Sequence, residues 1–122
     1  MASGTLNTRS ATIHSFGNST AGTAVIVPAF TLQPPASPNR YSRASIFALL
    51  ITVSAAETIT IQDTTGAALS QAIQLVANGS ICLDMLSNGD MWWQGAPGAG
   101  LQIVQSVPGT ALGYDVWWNA AP

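Results

Sequence analysis

The stretch "SIFALLITVSAAETITIQD", residues 45–63, decides how the chain is read. In its second part Ile59 and Ile61 fall on one parity, and Thr58, Thr60 and Gln62 on the other. Consecutive side chains of a β-strand point to opposite faces, so this is a strand with one apolar face. Its first part, residues 45–54, is apolar on both parities, the pattern of a central strand covered on both sides. Phe47, Leu49, Ile51, Val53, Ile59 and Ile61 are therefore expected in the core.

The same period of two continues outward in both directions. Before it lies "TAVIVPAF", residues 23–30, a β-branched run closed by Pro28. After it, "AIQLV" and "SICLDML" flank Asn78-Gly79, a dipeptide suited to the positive φ angles of a two-residue hairpin, and a hairpin is expected there. "MWWQ", "LQIVQSV" and "ALGYDVWWN" follow, separated by "GAPGAG" and "PG". Helical spacing finds little support, although residues 66–77 could hold a short turn of helix. About eight short strands at such spacing predict an all-β fold, an antiparallel β-sandwich or jelly roll.

Two segments break the pattern. Residues 1–12 are polar and small and are expected as an extended N-terminal arm carrying Arg9. Residues 31–43, "TLQPPASPNRYSR", hold three prolines with Arg40, Tyr41 and Arg43, and are expected as a stiff surface loop within a single β-sandwich domain spanning residues 13–122.

All four tryptophans stand in two Trp-Trp dipeptides. On a strand the two members of each pair face opposite sides, so one of each must look away from the core. Parity with Leu112, Tyr114 and Val116 assigns Trp118 to the core and Trp117 outward; parity with Met91 assigns Trp93 to the core and Trp92 outward. Aromatics are enriched and lysine depleted in contact surfaces, so Trp92 and Trp117 are candidate subunit or partner contacts, together with Arg9, Arg40, Tyr41 and Arg43.

Composition narrows the function classes. The 122 residues carry three arginines, no lysine and five acidic residues, only 7% charged, for a net charge of −2. An ordinary soluble domain has roughly 25% charged residues, so something other than water is expected to cover part of this surface. With no basic run there is no footprint for nucleic acid, and no attraction to anionic membranes. The longest apolar stretch, residues 44–56, is 13 residues, against the ~20 of a membrane helix. The first residues lack the charged and apolar regions of a signal peptide, which suggests a cytoplasmic origin. Cys82, a lone thiol inside an apolar strand, is expected to behave as a small hydrophobe.

No catalytic constellation is legible. His14, the only histidine, could be paired on paper with Ser15 and an aspartate, but a polar strand-end residue is the plainer reading. Glu57, Asp63, Asp84, Asp90 and Asp115 fall at strand ends or turns, where carboxylates cap backbone groups, and no facing pair is selected. One Cys and one His offer no metal set, so neither a metal nor a cofactor is expected. Asn18-Ser19-Thr20 and Asn78-Gly79-Ser80 match the glycosylation pattern formally.

From residue 45 to 118 the chain resembles a group of small tailed-bacteriophage virion proteins. The matching elements are Ala77-Asn78-Gly79, Gly89-Asp90 with Trp92-Trp93, and Gly98-Ala99-Gly100-Leu101. The resemblance implies a β-sandwich that decorates or cements a phage head as a homotrimer on the capsid lattice, with the major capsid protein as partner and the virion surface as its place after assembly in the host cytoplasm. The part before Ser45 does not share it, so no mode of attachment is carried over. The alternative reading is a carbohydrate-binding module of a virion fibre or secreted protein, with an outward Trp as sugar platform. A platform would stand open beside Asn, Gln or Asp, whereas an interface Trp would be covered by another chain.

Overall fold

Nine β-strands make up the regular structure of residues 13–29 and 43–121, the parts described by the computed structural model. They are β1 (Ile13–Ser19), β2 (Thr23–Val27), β3 (Arg43–Val53), β4 (Glu57–Asp63), β5 (Ile73–Leu75), β6 (Ser80–Leu83), β7 (Trp93–Gln94), β8 (Leu101–Gln105) and β9 (Leu112–Ala121). The proposed arm with Arg9, and the Pro-rich loop with Arg40 and Tyr41, lie outside the described residues.

The strands form two antiparallel sheets packed as a sandwich. One has the order β1-β9-β3-β6, with the short β7 also pairing with β3; the other has the order β2-β8-β4-β5. Between them lies a single core: Ile46, Leu49, Ile51, Leu112 and Val116 from the first sheet meet Ile26, Ile59, Ile61, Leu101 and Ile103 from the second. Fully burying a branched side chain of this size contributes about 1.5–3 kcal/mol each, and all of these but Ile26 are at or below 1% exposed. Trp93, Tyr114 and Trp118 are half-buried and pack against the margin of the core.

Three expectations are corrected here. Phe47 does not belong to the core cluster of the described residues; Ile46 takes that position, fully buried. The reason is a register shift between Ile46 and Ala48 in the pairing of β3 with β9. One inserted residue exchanges the two faces of the strand on either side of it, so a parity count across residues 46–48 fails. Leu49, Ile51 and Val53, beyond the bulge, are buried in the core.

The second concerns Asn78-Gly79. Asn78 does take a positive φ of 58°, and Gly79 N–H donates to Val76 O at 2.9 Å, closing a tight turn. Yet β5 belongs to one sheet and β6 to the other, so the turn passes the chain between sheets and is not a hairpin. The third is the possible helical turn at residues 66–77: it is an irregular segment with an isolated bridge, Gln62 to Ala68, leading into β5.

Two carboxylates anchor the turns. Asp63, at the end of β4 and 1% exposed, accepts from the backbone N–H groups of Thr65 (2.9 Å), Ala67 (3.3 Å) and Ala96 (3.1 Å) and from the Thr65 hydroxyl. Burial pushes its pKa up, but the Thr65 hydroxyl and the three backbone donors together outweigh that and hold it below the ordinary 3.8. Glu57, at the start of β4, is buried against Gln105, whose Nε2 donates to both carboxylate oxygens at 3.3 and 3.1 Å. At Gly100 a Cβ would lie 1.7 Å from the carbonyl oxygen of Val27. Only glycine lets β8 begin this close to the end of β2.

Candidate binding face

The outer face of the first sheet gathers the chain's aromatic and polar side chains in three rows, set by strand register. His14 stands opposite Trp117, which stands opposite Ala48. Phe16 stands opposite Asp115, then Leu50, then Cys82. Asn18 stands opposite Gly113, then Thr52, then Ser80. The face thus grades from aromatic at the Trp117 end to polar at the Asn18 end.

The aromatic end is held together by β1 and β9. The His14 ring lies flat on the Trp117 indole, with centroids 4.4 Å apart and planes 2° from parallel, and its Nε2 donates to Asp115 Oδ1 at 2.8 Å. Phe16 is 5.2 Å from His14 in a tilted contact and is 71% exposed. Beyond Trp117, away from Phe16, Ala48, Leu50, Cys82, Asp84 and Met85 line an open, largely apolar depression of about 330 Å³. Cys82 is exposed here and not buried, because its parity on β6 is opposite to that of Ile81 and Leu83, which face the core.

At the polar end a second depression, about 220 Å³, lies over Gly113 among Phe16, Asn18, Leu50, Thr52 and Asp115. A Cβ on Gly113 would come within 2.8 Å of Thr52 Oγ1 and 3.0 Å of Asn18 Oδ1. Both side-chain oxygens therefore lean over the same glycine from the two neighbouring strands.

Trp118 lies on the other side of β9, its Nε1 donating to Ser15 Oγ at 2.9 Å. Ser15 and His14 consequently occupy opposite faces, and the nominal pairing of these two with an aspartate is not assembled. His14, the second residue of β1, is the polar strand-end residue expected, and it contacts Trp117 and Asp115 across the β1–β9 pair. Trp92 is half-buried, its Nε1 donating to Asp84 O at 2.9 Å, and tilts against Trp93 at a centroid distance of 6.4 Å. It is separate from the His14–Trp117 stack. Arg43 is exposed at the first position of β3, opposite Ala121, with no carboxylate partner among the described residues. Among those residues, no three His, Cys, Asp or Glu side chains are grouped as metal ligands.

Sequence reasoning passed over Phe16 and Thr52, and named Asn18 and Asp115 only as part of a formal glycosylation match and as one of five acidic residues. The signal present was the alternation in "IHSFGNS", which puts His14, Phe16 and Asn18 on one face. The partner strand lies at the far end of the chain, and no local pattern names it.

No protein-family model matches the chain, and no curated protein matches it in sequence. Among solved structures it is similar to the virus-like particle of the extra small virus of the giant freshwater prawn Macrobrachium rosenbergii, determined by cryo-EM. The identity is 9%, the match covers 91% of this chain and 79% of that one, and the TM-score is 0.33. At that score the likeness carries no inference about residues or activity.

Proposed function

We propose that the chain is a structural protein of a virion: a head decoration, or cement, protein that binds the outside of a phage capsid as a homotrimer and bridges neighbouring capsomers. In this reading it performs no chemistry of its own, its partners are the major capsid protein and its own copies, and it assembles in the host cytoplasm. The resemblance of residues 45–118 to small phage virion proteins and the scarcity of charge support it.

The observation that carries the reading is where β1 and β3 begin, directly after residues 1–12 and 31–42 of the sequence. The arm enters at Ile13, opposite Trp118, and the Pro-rich loop enters at Arg43, opposite Ala121. Both junctions fall at the C-terminal end of β9, the end nearer the aromatic part of the outer face. Gly113 is eight residues back along the strand from Ala121, roughly 26 Å at about 3.3 Å per residue. One end of the sandwich thus collects Ile13, Arg43 and the Trp117 depression, a combination suited to gripping a partner. Arginine is well suited to bidentate pairing with carboxylates, and a proline-stiffened segment loses less entropy on docking than a flexible one.

The reading is tested by co-sedimentation with empty capsids. A chain lacking residues 1–12 and carrying Arg40→Ala and Arg43→Ala should fold but no longer sediment with capsids. Undiminished binding would show that attachment does not run through residues 1–12, Arg40 or Arg43.

A further inference from the structure

We propose that the depression over Gly113 binds one ring of a neutral saccharide, with Phe16 as the stacking platform and Asp115, Asn18 and Thr52 as hydrogen-bonding partners. The site lies toward the Asn18 end of the outer face, and it goes beyond the capsid-binding reading without depending on it.

Phe16 is the first observation. It is 71% exposed in the middle of a seven-residue strand and is not among the residues of the core cluster. Its ring therefore adds little to the core; apart from the tilted contact with His14 it is open to a ligand. The negative face of an aromatic ring attracts the weakly positive C–H edges of a partner, which a pyranose presents along one side.

The second observation is the polar set beside that ring. Asp115 Oδ1 is engaged by His14, which fixes the carboxylate and leaves Oδ2 without a partner among the described residues. Asn18 Oδ1 and Thr52 Oγ1 lean over Gly113 from either side. A carboxylate oxygen, an amide and a hydroxyl meeting around bare backbone can pair with two or three hydroxyl groups at once. An apolar side chain seated here would bury these groups unpaired, at a cost that disfavours it. Anionic ligands are disfavoured too, because Asp115 is the charged residue that lines the depression.

Size is the third. Pockets for drug-sized ligands run to roughly 300–1,000 Å³, and this one is about 220 Å³ and open. It accommodates a single ring laid flat, with weak affinity per site.

The test uses the full chain in the absence of capsids, so its outcome is separate from that of the capsid-binding experiment. Amide chemical shifts are followed by NMR on titration with methyl glycosides of glucose, galactose and mannose, and with N-acetylglucosamine, each to ~10 mM, the range in which a millimolar site fills. At least one should shift Phe16, Asn18, Thr52, Gly113 and Asp115 together. Phe16→Ala should weaken that binding about tenfold, the factor commonly lost with one aromatic contact, with an unchanged melting temperature. Absence of shifts at these residues across the panel, or full binding by Phe16→Ala, would overturn the proposal; so would shifts confined to Trp117 and Met85.

Discussion

The imidazole of His14 lies flat on the indole of Trp117, 4.4 Å between centroids, although the two residues come from strands near opposite ends of the chain. The contact ties the edge strand β1 to β9 and covers one face of the indole. Trp117 also lines the apolar depression with Leu50, Cys82 and Met85.

The two members of this dipeptide should behave differently. Trp118→Ala removes packing against the core margin and the bond to Ser15, and is expected to cost about 3 kcal/mol of folding stability. Trp117→Ala loses mainly the His14 stack, about 0.5–1.5 kcal/mol, but should weaken assembly or capsid binding by about 2 kcal/mol or more. Urea unfolding of the isolated chain set against capsid affinity separates the two. Equal folding losses would contradict the assignment of faces.

Gly100 and Gly66 offer a second contrast. Gly100→Ala drives a Cβ into the Val27 carbonyl, and backbone has to move, so the expected loss is about 3 kcal/mol or more. Gly66 has a φ of +94° with nothing within 4 Å of an added methyl group, so Gly66→Ala should cost only the local strain, about 1–2 kcal/mol. Denaturant midpoints at matched slopes check both.

Asp63 makes the fold sensitive to acid. Its folded pKa is held below the ordinary 3.8, so its contribution is present above that pH and is lost as pH falls through the lowered value. Asp63→Asn keeps one acceptor oxygen and should lose about 1.5–3 kcal/mol at neutral pH. The difference from the natural chain should shrink as the pH is taken below the carboxylate range. A constant difference across the acid titration would show that the charge is not what the four donors recognise.

Much of this fold was readable where local alternation was unbroken. In β4, Ile59 and Ile61 face the core and Thr58, Thr60 and Gln62 are half-exposed, because a seven-residue strand without a bulge keeps its parity. In β9 the same holds from Leu112 to Trp118. What parity could not foresee was an insertion between Ile46 and Ala48, which exchanged Phe47 for Ile46, or the sheet to which each strand belongs. Asn78-Gly79 announces a reversal of the chain, and the chain does turn there, but the destination depends on packing across the sandwich. The polar depression was hidden for a related reason: Asn18, Thr52, Gly113 and Asp115 are joined only by register between strands distant in sequence. Cys82 was misjudged because an apolar strand of one sheet has an outer face too.

The orientation of the sandwich on a particle tests the central claim most directly. A cryo-EM map of mature virions should show trimers of this fold on the outer capsid surface, with Ile13, Arg43 and Trp117 toward the capsid and Asn18, Thr52 and Gly113 toward solvent. Capsids without it, or the fold seated with the Asn18 end against the shell, would contradict the account.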